Sequence, residues 1–225
     1  MSIRVNKGCV LLFSGGRDST LAALRLAEQG WAVTLLTLTS PHLVGIENVR
    51  TRVRELASLL GPPMEWVRVP VSPRPIEIAL NELPTCLPCH HAYLSVAVSL
   101  ADRKHLGAVA TGYSGYQSDW LEQTPYAIDR LREVLGAHGK ELLLPVADLI
   151  SKDQAVLELR ERGVSDYALE QKCLRQQTND YRASEAQKLA EIDRWAAELD
   201  DALRAGARIS FESLAPNCES EVLSR

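Results

Sequence analysis

Short apolar runs alternate along this chain with longer segments in which apolar residues recur every three or four positions. Such runs are typical of buried parallel strands, and the longer spacing is typical of amphipathic helices. The predicted strands occupy residues 8–13, 31–38, 64–69, 108–111 and 142–146. The predicted helices occupy residues 19–29, 49–60, 91–104 and 151–163. The alternation predicts an α/β fold, a parallel five-stranded twisted sheet with helices on both faces and right-handed crossovers.

A long C-terminal helix is predicted from Ala183 to Arg204. Its apolar positions, three or four residues apart, are Leu189, Ile192, Ala196, Leu199 and Leu203. This stripe either packs on the chain's own sheet or pairs with a second copy in a homodimer, and the pattern leaves both open. We expect residues 1–165 to form the α/β domain. Residues 166–225 are expected to form a cysteine-containing loop and the long helix packed on it.

The first predicted strand runs directly into a glycine-rich turn at the start of a helix. The turn reads Ser14-Gly15-Gly16-Arg17-Asp18-Ser19-Thr20. Glycines let the backbone approach a ligand closely, and the free N–H groups at a helix N-terminus attract anions. The hydroxyl groups add donors, and Asp18 suits a helix cap or the organisation of a magnesium ion. The predicted phosphate site consists of Ser14, Gly15, Gly16, Asp18, Ser19 and Thr20, with an ordinary strand–helix turn as the alternative.

This turn has neither the lysine of a Walker A loop nor the spaced glycines of a dinucleotide-binding fold. It resembles the PP-loop of the ATP pyrophosphatase (adenine nucleotide α-hydrolase-like) superfamily, with its string Ser-Gly-Gly-x-Asp-Ser-Thr. The resemblance implies the use of ATP and Mg²⁺ and cleavage of ATP between its α and β phosphates. AMP would be loaded onto a substrate oxygen and then displaced by a nucleophile. The resemblance also implies that backbone groups of Thr37 and Leu38 hold the adenine ring.

Further candidates follow from the positions of the strand ends. Ligands of parallel α/β sheets bind beyond the carboxyl ends of the strands. The phosphate turn, Thr37, Gly112 and Lys152 all follow such ends, so one crevice is expected to gather them. We therefore expect Gly112 at the ATP site. Asp18, Arg17 and Lys152 are the expected catalytic groups, because charge on the departing pyrophosphate must be stabilised.

A second constellation consists of cysteines. Two residues separate Cys86 from Cys89, a spacing that lets both sulfur atoms reach one metal, and Cys173 follows downstream. A redox pair and ordinary packing are alternatives, and the c-type haem string formed with His90 would need export. The order of the three cysteines resembles that of the iron–sulfur tRNA thiolation enzymes, a PP-loop subgroup. That resemblance implies a [4Fe-4S] cluster on Cys86, Cys89 and Cys173, with one iron open for sulfur.

Zinc is the competing metal at these cysteines. A zinc ion would need a fourth ligand, for which the candidates are His90, His91 and Cys218. Cys9 lies inside the first predicted strand and is expected to be a core residue. The chain has 5 cysteines, an odd number that favours thiols or metal ligands over a disulfide framework.

A third group of residues follows the fourth predicted strand, where a second substrate is expected to meet ATP. Tyrosine rings can stack on a heterocycle, and Ser, Gln and Asp side chains can bind its polar edge. The candidates for substrate contact are Tyr113, Ser114, Tyr116, Gln117 and Asp119. A surface turn of the same composition is the alternative.

The Tyr-Ser-Gly-Tyr string of this group resembles that of 7-cyano-7-deazaguanine synthase, another PP-loop family. The resemblance covers most of residues 8–165 and implies a role in queuosine biosynthesis. It also implies that Tyr116 and Asp119 touch a deazapurine and that Lys152 contacts phosphate. Two features depart from that family. The family normally carries four zinc-binding cysteines near the C-terminus, where this chain offers Cys173, and the turn of this chain carries Arg17.

Charge and hydropathy narrow the range of partners. The chain of 225 residues has a net charge of -4 and a pI near 5.8, which argues against a broad basic nucleic-acid surface but allows a local patch for tRNA. Apolar runs are shorter than a membrane span, and the N-terminus lacks a signal-peptide core. We therefore expect a cytoplasmic protein without a membrane partner.

Three hypotheses for function remain open. In the first, the enzyme is similar to 7-cyano-7-deazaguanine synthase: it adenylates a small nucleobase-like acid or amide, and ammonia, or alternatively sulfide, displaces AMP. In the second, it is an iron–sulfur-dependent sulfurtransferase acting on a tRNA base or nucleobase. In the third, it is a partner subunit that binds ATP without turnover. The nucleophile distinguishes the first two, and pyrophosphate release distinguishes both from the third.

Overall fold

The computed structural model describes residues 7–61, 64–70, 85–174, 183–206 and 219–222. The strands are β1 (Gly8–Leu12), β2 (Ala32–Thr39), β3 (Leu43–Val44), β4 (Glu65–Pro70), β5 (Ala108–Ala110), β6 (Glu141–Leu143), β7 (Lys172–Cys173) and β8 (Glu219–Val222). The helices are α1 (Arg17–Glu28), α2 (Ile46–Leu60), α3 (Leu87–Arg103), α4 (Pro125–Ala137), α5 (Lys152–Glu161) and α6 (Glu185–Arg204). Short 3₁₀ turns lie at Gly115–Gln117 and Leu121–Gln123.

The main sheet has the strand order β6-β5-β1-β2-β4-β8. The five strands from β6 to β4 are parallel, which confirms the predicted fold class. The C-terminal tail, which shows no strong pattern in the sequence, adds β8 antiparallel to β4. The chain moves from β1 outward through β2 to β4 and then returns to the other side of β1 as β5. The loops after β1 and β5 therefore leave the sheet on opposite sides of one crevice, where ligands of such folds bind.

Alternate residues of the central strands pack into two different core layers. Leu11 and Leu35 belong to the layer covered by α1, α2 and α5. Val10 and Leu36 belong to the layer covered by α3, α4 and α6. Burial on both faces explains why these strands have continuous apolar runs rather than alternating ones.

Several element boundaries differ from the sequence-based prediction. α3 begins at Leu87 rather than near His91, because a proline such as Pro88 is tolerated in the first turn of a helix. The last parallel strand ends at Leu143 and does not continue to Val146. The apolar pattern does not single out α4, whose N-terminus is capped by the side chain of Thr124.

α6 packs its apolar stripe on its own chain. Ile192, Ala196 and Leu199 are buried, and the helix lies against α3 and α4. Of the two packing alternatives for this stripe, the structure shows the intramolecular one. The homodimer and the domain boundary at residue 165 stay predictions.

Cys9 is fully buried in β1, as expected of a core residue, and burial raises the pKa of its thiol to about 12.

The proline-rich residues 71–84 and Cys218, a candidate zinc ligand, lie outside the described residues. Within the described part of the chain, none of the helices has the length and apolar character needed to cross a membrane.

Candidate functional site

The carboxyl edge of the sheet brings the predicted ATP-site residues together. A Cβ atom added to Gly112 would lie 2.8 Å from the backbone nitrogen of Ser19, so the end of β5 touches the start of α1. Burial raises the pKa of Asp18, and the positive charges of Arg17 and Lys152 act in the opposite direction, so both side chains lie within electrostatic range of that carboxylate. That these groups bind ATP stays a prediction. Gly112 has a packing role there, because a side chain at this position would collide with α1.

The phosphate turn is held open by its own hydroxyl groups. Thr20 Oγ1 donates to the carbonyl oxygen of Gly16 at 2.6 Å, and Ser19 Oγ donates to the same oxygen at 3.2 Å. Ser14 Oγ accepts from the backbone N–H of Gly16 at 3.3 Å. Among the described residues, no side chain caps the N-terminus of α1, so its first N–H groups remain available to an anion.

Residues 165–173, which we name the covering segment, lie against this turn. Gly15 has a φ of +81°, and a Cβ atom there would lie 2.7 Å from the carbonyl oxygen of Leu169, so glycine is required on both counts. The backbone N–H of Gln171 donates to the carbonyl oxygen of Ser14 at 3.2 Å. Arg17 Nε donates to the carbonyl oxygen of Asp166 at 2.8 Å. The covering segment therefore fixes the shape of the phosphate turn.

Arg52 on α2 anchors the covering segment. Its side chain is fully buried, and its guanidinium donates to the carbonyl oxygens of Ser165 at 2.7 Å and Tyr167 at 2.6 Å. The same group forms an ion pair of 2.5 Å with Glu55. A buried charge is stable only when it is paired and hydrogen-bonded, so these contacts hold α2 and the covering segment together.

Residues 112–119, which we name the acceptor loop, bind the carboxylate of Asp18. The hydroxyl of Tyr116 donates to the two carboxylate oxygens at 2.7 Å and 2.6 Å, and Ser114 Oγ lies 3.4 Å from one of them. Burial raises the pKa of Asp18, and the hydroxyl groups of Tyr116 and Ser114 act in the opposite direction. Burial and the bond to Asp18 also raise the pKa of Tyr116 well above its ordinary value. Two of the predicted substrate residues, Ser114 and Tyr116, therefore contact the predicted catalytic residue Asp18 directly.

The other predicted substrate residues occupy different positions. Gln117 Oε1 accepts from Ser114 Oγ at 3.1 Å and from Gln123 Nε2 at 3.2 Å, so its side chain stabilises the acceptor loop. Asp119 is exposed. Tyr113 is buried, and its hydroxyl forms a hydrogen bond of 2.9 Å with His90 Nδ1. Contact of these residues with a substrate stays a prediction.

The predicted adenine position lies where β2 extends past its neighbour. The pairing of β1 with β2 ends at Leu12 and Leu36, whereas β2 stays paired with β4 as far as Thr39. The hydroxyl of Thr37 is already used, since it donates to the carbonyl oxygen of Phe13 at 2.7 Å and accepts from the indole of Trp66 at 2.9 Å. Any contact of this strand end with adenine would therefore come from the backbone, as the PP-loop resemblance implies.

Three cysteines from different parts of the chain lie near one another. Cys86 lies at the N-cap position of α3 without a side-chain capping bond, and Cys89 lies in the first turn of that helix. Cys173 is in β7, which pairs with β3. Burial, followed by the charges of Glu122, Cys89 and Cys173, raises the pKa of Cys86 to about 12. Burial and the charges of Cys173 and Glu122 raise the pKa of Cys89 to about 11. The three predicted ligands therefore lie within electrostatic range of one another, and burial disfavours the thiolate forms of Cys86 and Cys89.

Glu122, which the sequence reasoning did not single out, belongs to the same region. Only 4% of its surface is exposed, and its Oε1 atom has no hydrogen-bond partner in the described part of the chain. His90 Nε2 lies 3.9 Å away, beyond hydrogen-bond distance, while Nδ1 of the same ring bonds to Tyr113. No motif marks Glu122, because it lies in an irregular connection far from the cysteines in sequence.

Metal binding at these cysteines stays a prediction, for a [4Fe-4S] cluster and for a zinc ion alike. The described residues contain no set of three or more His, Cys, Asp or Glu side chains that could hold a metal ion in the arrangement shown. His91, a candidate fourth zinc ligand, is buried against Trp195, and burial lowers its pKa to about 4.

Comparison with known proteins establishes the fold. No family model matches the sequence, and a search of curated proteins finds no match. A solved 4-thiouridine synthetase, in complex with RNA and bound ATP, is similar with a TM-score of 0.70 and 20% identity, covering 97% of this chain and 55% of the synthetase. This chain therefore spans about half the length of that protein.

Two further solved structures are similar at lower scores. NMN synthetase from Francisella tularensis has a TM-score of 0.50 and 16% identity, covering 86% of this chain and 85% of the synthetase. U34-tRNA thiolase NcsA from Methanococcus maripaludis with its [4Fe-4S] cluster has a TM-score of 0.48 and 15% identity, covering 87% of this chain and 64% of the thiolase. The last score is too low to support an argument. The likenesses confirm the fold that the PP-loop resemblance implies.

Proposed function

We propose that this chain is an ATP-dependent sulfurtransferase that acts on a nucleobase carbonyl. The carbonyl oxygen attacks the α-phosphorus of ATP, which forms a C–O–AMP ester and releases pyrophosphate. Sulfide then attacks the same carbon. The C–O bond breaks, AMP leaves with the oxygen, and loss of the sulfur-bound proton gives the C=S product.

The phosphate turn and its neighbours support the first half of this reaction. The uncapped N-terminus of α1 offers N–H groups to phosphate oxygens. Asp18 would hold Mg²⁺, while Arg17 and Lys152, both near it, would offset the charge that develops on the departing pyrophosphate. Tyr116 places the acceptor loop beside these groups. The acceptor oxygen would thus approach the α-phosphorus from the side of this loop.

The cysteine region supports the second half. Cys86, Cys89 and Cys173 would hold a [4Fe-4S] cluster. When bound, such a cluster supplies an iron position at which sulfide is kept as a nucleophile. Without a cation, the raised pKa values of Cys86 and Cys89 keep both thiols protonated near neutral pH, which makes them poor nucleophiles themselves.

The observation that carries the proposal is the covering segment. It contacts the phosphate turn through Leu169 and Gln171 and ends at Cys173 beside the other two cysteines. The acceptor loop makes a second connection, since Ser114 and Tyr116 face Asp18 while Tyr113 bonds to His90, next to Cys89. An acceptor held by this loop would lie between the phosphate turn, where it is adenylated, and the cysteines, where sulfide would be supplied. The 4-thiouridine synthetase likeness, which covers 97% of this chain, agrees with the choice.

The test uses anaerobically reconstituted full chain with Mg-ATP, sulfide and unmodified transcript tRNA, with a free nucleobase as a second acceptor. We expect acceptor-dependent pyrophosphate release and a thiolated base in the digested product. Combined replacement of Cys86, Cys89 and Cys173 by serine should abolish thiolation but leave pyrophosphate release. Equal thiolation in that variant would refute the role of the cysteines.

Ammonia transfer to a nucleobase-like acid is the second candidate, because the acceptor loop contains the Tyr-Ser-Gly-Tyr string and binds Asp18 directly. Replacing sulfide by ammonium, with a carboxylated deazapurine as acceptor, separates the two. Amide or nitrile product without thiolation would establish this candidate. ATP binding without pyrophosphate release for any acceptor would instead favour the non-catalytic subunit.

A further inference from the structure

We propose that Glu170 sets how tightly the phosphate turn holds pyrophosphate, because its carboxylate and the phosphate groups compete for the same side of the turn. This inference rests on the proposed function, which places the phosphates of ATP at that turn. It assigns a task to a side chain of the covering segment that the proposed reaction does not otherwise use.

The side chain of Glu170 lies against the phosphate turn. A Cβ atom added to Gly16 would lie 3.4 Å from the Cβ atom of Glu170 and 3.8 Å from its Oε2 atom. Gly16 is the residue that directly precedes α1, so the carboxylate of Glu170 lies beside the start of that helix. The proposed function assigns the first N–H groups of α1 to phosphate oxygens. Glu170 therefore covers the side of the turn that a phosphate would use.

The backbone on both sides of Glu170 is fixed to the turn. The carbonyl oxygen of Leu169 lies 2.7 Å from a Cβ atom added to Gly15. The backbone N–H of Gln171 donates to the carbonyl oxygen of Ser14 at 3.2 Å. The side chain of Glu170 thus begins at a fixed point beside the turn, and rotation about its own bonds is the simplest way to move its carboxylate.

The carboxylate of Glu170 is not neutralised by a cation of the chain. Glu55 pairs with Arg52 and Glu158 pairs with Arg25, whereas Glu170 has no ion pair or hydrogen bond within the described ranges. A negative charge beside the start of a helix is favourable, because the helix dipole attracts it. Glu170 therefore stabilises the turn as long as no phosphate competes with it.

Phosphate groups and the carboxylate of Glu170 carry charges of the same sign. A phosphate oxygen bound at the start of α1 would lie close to this carboxylate, and nearby like charges repel each other. Arg17 and Lys152 would attract the phosphates, and Glu170 would limit that attraction. Once the acceptor has taken AMP, the carboxylate would return to the turn as pyrophosphate leaves. The expected benefit is faster release of the product.

The test measures binding of inorganic pyrophosphate and of Mg-ATP to the full chain by isothermal titration calorimetry. Glu170→Gln keeps the size of the side chain and removes its charge. We expect this variant to bind pyrophosphate about fivefold more tightly than wild type, the effect typical of one charge near the start of a helix. Loss of a merely structural contact would weaken binding, so the sign of the change separates the two roles. Glu161→Gln, exposed on α5, is the matched control and should bind like wild type.

A second variant, Glu170→Lys, reverses the charge and should bind pyrophosphate more tightly still. It keeps the inference testable if the glutamine variant is poorly folded, as thermal unfolding would show. A folded variant of either kind that binds pyrophosphate no more tightly than wild type would overturn the inference, while ATP binding by wild type would leave the phosphate turn in place. A wild-type chain that binds neither ATP nor pyrophosphate would refute the phosphate site and this inference together.

Discussion

The phosphate turn and the cysteine region differ in how far the chain alone satisfies their polar groups. Around the turn, Asp18 receives hydrogen bonds from Tyr116 and Ser114, and Thr20 bonds to the backbone. In the cysteine region, Glu122 has a buried unpartnered oxygen, and burial raises the pKa values of Cys86 and Cys89. The carboxylate of Asp18 is therefore satisfied by the chain itself, whereas Glu122 keeps one buried oxygen without a hydrogen bond from the described residues.

The difference also concerns how each region is built. The turn consists of consecutive residues between β1 and α1, so its geometry is largely local. The cysteine region combines α3, β7 and the Leu121–Gln123 turn, which are far apart in sequence. Changes in one region should therefore leave the other intact, except where the covering segment joins them. The following experiments test that separation.

The largest effect is expected from Asp18→Asn. This change removes the charge that would hold Mg²⁺ but keeps the size of the side chain. We expect acceptor-dependent pyrophosphate release to fall by roughly 10²–10³-fold, the usual cost of removing one electrostatic catalytic group. Iron content and thermal stability should not change. Asp153→Asn, in the exposed first turn of α5, is the control, and an effect of the same size there would argue against the assigned site.

Arg52→Met should affect both regions, because Arg52 anchors the covering segment. The variant leaves the carbonyl groups of Ser165 and Tyr167 without their donor, and Glu55 loses its ion pair but keeps the hydrogen bond from Ser165 Oγ. We expect the free energy of unfolding to fall by about 3 kcal/mol, as for other broken buried ion pairs. Urea unfolding measures this, and iron retention and ATP binding should weaken together. Arg54→Met, exposed on the same helix, should cost far less; equal losses would contradict the anchoring role.

The smallest effect concerns pH and His91, next to the cysteine region. Burial, with a smaller contribution from His90, lowers the pKa of His91 to about 4, from an ordinary value of about 6.5. As the pH falls below the ordinary pKa of histidine, His91 takes up a proton in the unfolded chain but not in the folded chain. The stability that neutral His91 contributes above that pH is therefore lost as the pH falls toward its pKa in the folded chain.

We expect the free energy of unfolding to fall by about 2 kcal/mol between about pH 7 and pH 5 through this residue. His91→Phe, which keeps an aromatic contact with Trp195, should remove that part of the pH dependence. His105→Asn is the control, because this residue is exposed and has a positive φ that asparagine tolerates. Parallel pH curves for wild type and His91→Phe would contradict the prediction.

The sequence predicts the phosphate turn well because its signal is contiguous: an apolar strand, two glycines and a helix start. It also predicts that the acceptor loop follows a parallel strand, and Gly112 does lie directly after the end of β5. It does not reveal that Tyr116 bonds to Asp18 or that Glu122 joins the cysteines, because both depend on packing between distant segments. β8 and the pairing of β3 with β7 are missed for the same reason: these strands are short and lack a marked pattern.

The hydrogen bonds between Tyr116 and Asp18 have a kinetic consequence under the proposed function. Both carboxylate oxygens of Asp18 are occupied by one phenol, and a magnesium ion would require at least one of them. Nucleotide entry would therefore release the acceptor loop, and departure of the nucleotide would lock it again. This coupling between nucleotide binding and the acceptor loop would favour ordered binding, with the nucleotide first and the base second. It would also limit the hydrolysis of ATP while no base is bound.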